Sequence, residues 1–146
     1  MVIPRSRLAF FYGVLAFVAL LATWHQNLLY FGGSAESGST FVAFWKDTMA
    51  NPAAASIALD LGLLLVAVVV WMVLEARRLG MPYVWLYVVG AFLIAISVTF
   101  PLFMLMRERR LATLGQVQPA ITAADAVGLL LVALPVVVMS VRSLFV

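Results

Sequence analysis

Apolar residues fall into four long runs, separated by short polar or charged stretches. The clearest run extends from Asn51 to Arg78. Asn51 suits a helix N-cap and Pro52 the first helical position. From Pro52 to Leu74 the only ionisable residue is Asp60. At about 1.5 Å per residue this stretch crosses a bilayer core of roughly 30 Å. Glu75, Arg77 and Arg78 mark its exit from lipid.

The other three runs read the same way. The first, 8–31, follows Arg5 and Arg7, is read as an uncleaved signal anchor, and stops at Gly32-Gly33. The third, 83–106, follows a tight Leu79–Pro82 turn and opens with Tyr83, Trp85 and Tyr87, an interfacial aromatic group. Pro101 should kink it near its far end, and Arg107, Arg109 and Arg110 close it. The fourth, 123–141, opens on a Thr122/Asp125 capping box, is interrupted by Pro135 and closes at Arg142. Between the first two runs a polar Gly32–Thr40 linker leads to Phe41, Phe44, Trp45, Thr48 and Met49, which share one helical face. That spacing predicts a short amphipathic helix over 41–50, lying in the membrane interface.

The expected fold is an all-α integral membrane protein. It is a single domain over 1–146, a four-transmembrane-helix bundle with an interfacial helix between helices 1 and 2. Four alternating spans put both termini on one side. With that side cytoplasmic, five basic residues (Arg5, Arg7, Arg77, Arg78, Arg142) lie inside and four (Lys46, Arg107, Arg109, Arg110) outside. The leading Arg pair favours the N-terminus inside.

Composition agrees. The chain is 66% hydrophobic and 10% charged, with mean hydropathy +1.14. Soluble domains run near ~45–50% apolar and ~25% charged. The net charge of +3 does not point to nucleic acid, because the basic residues flank apolar runs and read as headgroup anchors. With no cysteine and one histidine, disulfides, Cys/His metal sites and a bis-His haem within one chain are excluded. No metalloprotease helix, phosphate loop or nucleophile elbow is present, which points away from an enzyme.

The alternating spans place His25, Gln26, Asn27, Asp60, Ser97, Thr99, Asp125 and Arg107 in one half of the bilayer. An aspartate at a helix centre costs about 2.5–3.5 kcal/mol unless neutral, paired or wet. His25 and Arg107 are its candidate partners. Two readings follow. One is a polar pocket lined by Asp60, His25, Asn27, Ser97, Thr99 and Arg107, gripping a ligand or exchanging a proton. The other is an interhelical hydrogen bond that fixes packing. Asp125 reads as a cap. Glu75 and Glu108 read as solvated partners of nearby arginines, and the echo of Glu75-Ala-Arg-Arg-Leu79 in Glu108-Arg-Arg-Leu111 as two helix ends on opposite faces. Small residues recur at helical spacing: Ala54, Ala58 and Gly62, then Ala91 and Ala95, then Ala124 and Gly128. Such stripes permit close helix approach, and the first makes the second span the expected centre of the bundle.

Asn51-Pro52, Asp60, Glu75-Ala-Arg-Arg-Leu-Gly-Met81, Pro101-Leu-Phe and Arg107-Glu-Arg109 occur in an order that resembles a family of small bacterial membrane proteins, the domain of unknown function 2834. The resemblance spans about Phe41 to Arg110 and implies a multi-span helical protein of the bacterial cytoplasmic membrane. More distantly the chain is similar to plastid membrane proteins linked to neoxanthin formation, without their His and Gly-Pro elements. The functional expectation is a non-catalytic accessory subunit on a larger respiratory or photosynthetic membrane complex, or a homo-oligomer. The alternatives are a binder or modifier of a long apolar ligand (a bound lipid, carotenoid, quinone or isoprenoid) through an Asp60/His25 polar pocket, and a small proton-coupled transporter.

Overall fold

The structure is a computed structural model that describes residues 5–33, 41–116 and 122–143. The expected linker over 34–40 and the end of the loop before the last helix lie outside the described residues. The chain is helical: α1 (Arg5–Gly33), α2 (Phe41–Asp47), α3 (Pro52–Leu79), α4 (Val84–Gly90), a π-helical turn (Ala91–Ala95), α5 (Ile96–Thr113) and α6 (Ala123–Ser143). Four stretches are long and apolar enough to cross a membrane: Arg5–Gly32, Pro52–Leu79, Val84–Thr113 and Ala123–Ser143.

The sequence-level caps are in place. The Asn51 side chain accepts from the Ala54 N–H at 2.9 Å, and Pro52 opens α3. Gly80 ends α3 in the left-handed region at φ 60°, which a Cβ would disfavour. At α6 the Asp125 carboxylate accepts from the Thr122 N–H at 2.8 Å, and the Asp125 N–H donates back to the Thr122 hydroxyl at 3.1 Å. The α2 helix folds onto the end of α1. Phe44 meets the rings of Tyr30 and Phe31, and the Tyr30 hydroxyl donates to Asp47 at 2.5 Å.

The third apolar stretch departs from expectation. It folds back on itself. The backbone of Ala95 is extended (φ 175°, ψ 146°) between the π-helical turn and α5, and the chain reverses there. The two arms lie side by side: Tyr87 meets Phe103 at 5.7 Å between ring centroids, and the Arg110 Nε donates to the Leu79 carbonyl at 2.9 Å. A straight helix over 84–113 would hold its ends about 45 Å apart. The arm from Val84 to Ala95 rises only about 18 Å, just over half of a roughly 30 Å core. The expected kink at Pro101 is not the site of the bend, since α5 runs on through a buried Pro101 to Thr113. The α6 helix likewise continues through Pro135.

The fold-back sets the order of packing. The α5 helix, not α3, is central: it packs on α1, α3 and α4, and α1 and α3 do not reach each other. Met72, Ala76, Val84 and Phe103 form the core, with Trp71 edge-on to Phe100 and Phe103. Among the described residues the α6 helix touches only α1, and it buries no residue. The start of α1 sits at the end of α5, where Arg5 meets Glu108. The end of α6 sits far along α1, where the Gln26 amide donates to the Ser143 carbonyl at 2.7 Å. The described ends of the chain therefore lie at opposite ends of the molecule, not on one side, because the hairpin enters and leaves by the same face.

The absence of native cysteine makes this testable with single substitutions and a membrane-impermeant maleimide. Arg77→Cys and Leu114→Cys should label from one side and Lys46→Cys from the other. A straight third span puts 77 and 114 on opposite sides. The arms also close tightly at Gly90, where an added Cβ would lie 2.9 Å from the Thr99 Cγ2. Gly90→Ala should lower stability by about 1–3 kcal/mol in detergent melts.

Candidate functional site

Charges gather where α1, α3 and α5 meet. Glu75 and Glu108 are 8% and 2% exposed, not solvated as the sequence suggested. The echo of the two Glu-containing helix ends has a geometric meaning: both lie on one face and share one arginine. The Arg107 Nε donates to Glu75 at 2.7 Å, and its Nη1 donates to Glu108 at 2.8 Å. Arg78 holds Glu75 through two bonds of 2.7 Å. Arg5 donates to the second oxygen of Glu108 at 2.7 Å and to the Gln116 carbonyl at 2.8 Å. The Arg107 guanidinium also lies 5.8 Å from the Trp71 ring centroid. The result is a chain Arg5–Glu108–Arg107–Glu75–Arg78 that ties three helices together. Every carboxylate oxygen in it accepts from a guanidinium, so it is a lock rather than a proton-exchanging group.

The predicted pocket residues are not brought together. Arg107 belongs to this lock, while Asp60 lies about 22 Å further along α3 from Glu75 and His25 about 30 Å along α1 from Arg5. Asp60 is exposed, and among the described residues it has no hydrogen bond or ion pair. At 100° per residue it sits about 110° from the face of α3 that buries Met72 and Leu79, so it points outward. His25 is half-buried with its Nδ1 unpaired. Asn27 is half-buried and Ser97 exposed. Thr99 is buried in the hairpin, where its hydroxyl donates to the Ala95 carbonyl at 3.2 Å. No group of three His, Cys, Asp or Glu able to hold a metal occurs among the described residues.

The small-residue stripes divide similarly. Ala54 and Ala58 are half-buried, Ala91 is buried in the hairpin and Ala95 is the reversal point. Gly62, Ala124 and Gly128 are exposed, and a Cβ at either glycine would touch nothing. The sequence reading missed the Glu75–Arg107–Glu108 lock. The repeated Glu-and-Arg helix ends and the weak five-to-four charge balance were the signals that could have revealed it.

Four apolar helical stretches, an internal charge lock and almost no buried surface outside one small core define a multi-pass helical membrane protein. A family described as protein of unknown function DUF2834 matches residues 11–109, and the chain belongs to that family. The match takes in most of α1 as well as nearly all of the 41–110 region that carries the resemblance, and it stops before α6. No curated protein and no solved structure matches the chain.

Truncation should separate the two ends of the lock. Glu108→Ala leaves Arg5 and Arg107 without their shared buried carboxylate and should cost about 3–5 kcal/mol. Arg78→Ala removes a guanidinium whose side chain is 52% exposed and should cost less than about 1 kcal/mol. Thermal unfolding in a mild detergent measures both, and equal losses would mean that the lock does not hold the helices together.

Proposed function

We propose that this chain is a non-catalytic membrane subunit that docks on another transmembrane protein through the outer face of α3. The observation that carries the reading is Asp60, an outward carboxyl well inside a membrane-spanning helix and unpartnered among the described residues. Left facing hydrocarbon it costs about 2.5–3.5 kcal/mol. A partner helix that brings a hydrogen-bond donor or cation removes that cost. The Asp60/His25 ligand-gripping pair receives no such support, because α1 and α3 stand apart.

The fold-back also supports an orientation. Arg5, Arg7, Arg77, Arg78, Arg107, Arg109 and Arg110 lie toward the face where the lock sits, and only Lys46 and Arg142 lie toward the other. Seven against two favours the lock face as cytoplasmic, in a bacterial cytoplasmic membrane, with the start of α1 inside and the end of α6 outside.

The test is a gentle native purification of the tagged chain, read by mass spectrometry. The wild type should carry a stoichiometric membrane partner, and Asp60→Leu should lose it while its own unfolding temperature stays the same or rises. A free wild-type monomer, or a variant that keeps its partner, would overturn the reading.

A further inference from the structure

A groove of about 820 Å³ runs between α1 and α5, away from the face that carries Asp60. Its floor and walls are apolar, with Phe10, Val14, Phe17 and Leu105 along its length. Its mouth, at the lock face, holds Ser6 and Arg109. Measured along α1 from Ser6 to Phe17 it is about 16 Å deep, the depth of one leaflet of a roughly 30 Å core. The charge at the mouth is unbalanced. Both carboxylates of this face, Glu75 and Glu108, are taken up inside the lock. Arg109 is exposed and, among the described residues, has neither an ion pair nor a hydrogen bond.

We propose that this groove is a binding site for an anionic phospholipid, with the headgroup phosphate on Arg109 and one acyl chain laid along Phe10, Val14 and Phe17. A protein segment fits the site less well. The groove is one leaflet deep, is apolar at its inner end, and offers its free cation at headgroup level, where a phosphate lies. Guanidinium matches phosphate geometry through paired N–H donors, and Ser6 adds a hydroxyl at the same level. Glu108 also lines the mouth, but Arg5 and Arg107 each hold one of its oxygens, so it does not repel an anion there.

The experiment is a titration of delipidated wild-type protein in detergent, read by native mass spectrometry. The probes are dioleoylphosphatidylglycerol and dioleoylphosphatidylcholine. The wild type should hold the anionic lipid more tightly, and Arg109→Gln should lower that affinity about fivefold with little change for the zwitterionic lipid. Val14→Trp should fill the groove and weaken both lipids. Arg7→Gln, at an exposed arginine of the same helix end that does not line the groove, controls for general surface charge and should leave the preference intact. Equal binding of the two lipids by the wild type would overturn the proposal. So would an equal loss in Arg109→Gln and Arg7→Gln, or displacement of the lipid by inorganic phosphate alone. None of these outcomes bears on the Asp60 face, so this proposal and the docking reading stand or fall separately.

Discussion

The guanidinium of Arg107, shared between Glu75 and Glu108, is the constraint on which the rest of the structure depends. Carboxylates at the edge of a hydrocarbon layer are tolerated when each oxygen has a charged donor, and here each does. That arrangement requires the end of α3 and the end of α5 to meet at one level. They are joined by a stretch that, if straight, would be about 45 Å long and would exceed the membrane core. The reversal at Ala95 and the shared arginine therefore require each other. Buried ion pairs add little net stability compared with packed apolar side chains, but they penalise arrangements that separate the partners. In this chain they specify the hairpin more than they strengthen it.

Much of the fold is legible without coordinates. Helix positions, the Asn51 and Gly80 caps and the Thr122/Asp125 box follow from local chemistry, and the structure reproduces them. The fold-back is not legible locally. Gly90, Ala91 and Ala95 are ordinary residues in a transmembrane helix, and the extended conformation at Ala95 needs no special side chain. Pro101 carries the stronger breaking signal, yet the bend lies six residues before it. The evidence was global instead: a five-to-four distribution of arginines becomes seven-to-two once the third stretch turns back. Counting charges before fixing the number of crossings would have favoured the hairpin. The candidate pocket residues stay apart for the same reason: the fold-back returns Arg107 to the level of Glu75, while Asp60 and His25 lie further along α3 and α1.

The two halves of the molecule are built differently as a result. Toward the lock face, α5 fills the space between α1 and α3, with Phe103 and Met72 fully buried and four aromatic rings in contact. Toward the other face the hairpin has ended. Asp60 lies about 6 Å beyond the level of the hairpin tip, where no other described helix packs on the outer side of α3. A longer hairpin would have brought further side chains to the level of Asp60. Among the described residues the carboxyl is thus unpartnered because it lies beyond the reach of the neighbouring arms.

That geometry bears on why such a chain would keep Asp60. An aspartate that served only internal packing would sit at the level of α5, where Thr99 and the arginines are within reach. One that served proton exchange would face a wet cavity, and the described groove lies on the opposite side of the molecule, against α1. On the proposed reading, an outward carboxyl above a closed, charge-locked base is instead the contact point for a helix that approaches from the bilayer. The locked end resists deformation because separating its helices exposes buried charge. The open end can then present α3 and α6 at fixed positions without a core of its own. On the proposed reading, the base provides rigidity, and the partner provides the packing that the outer half lacks.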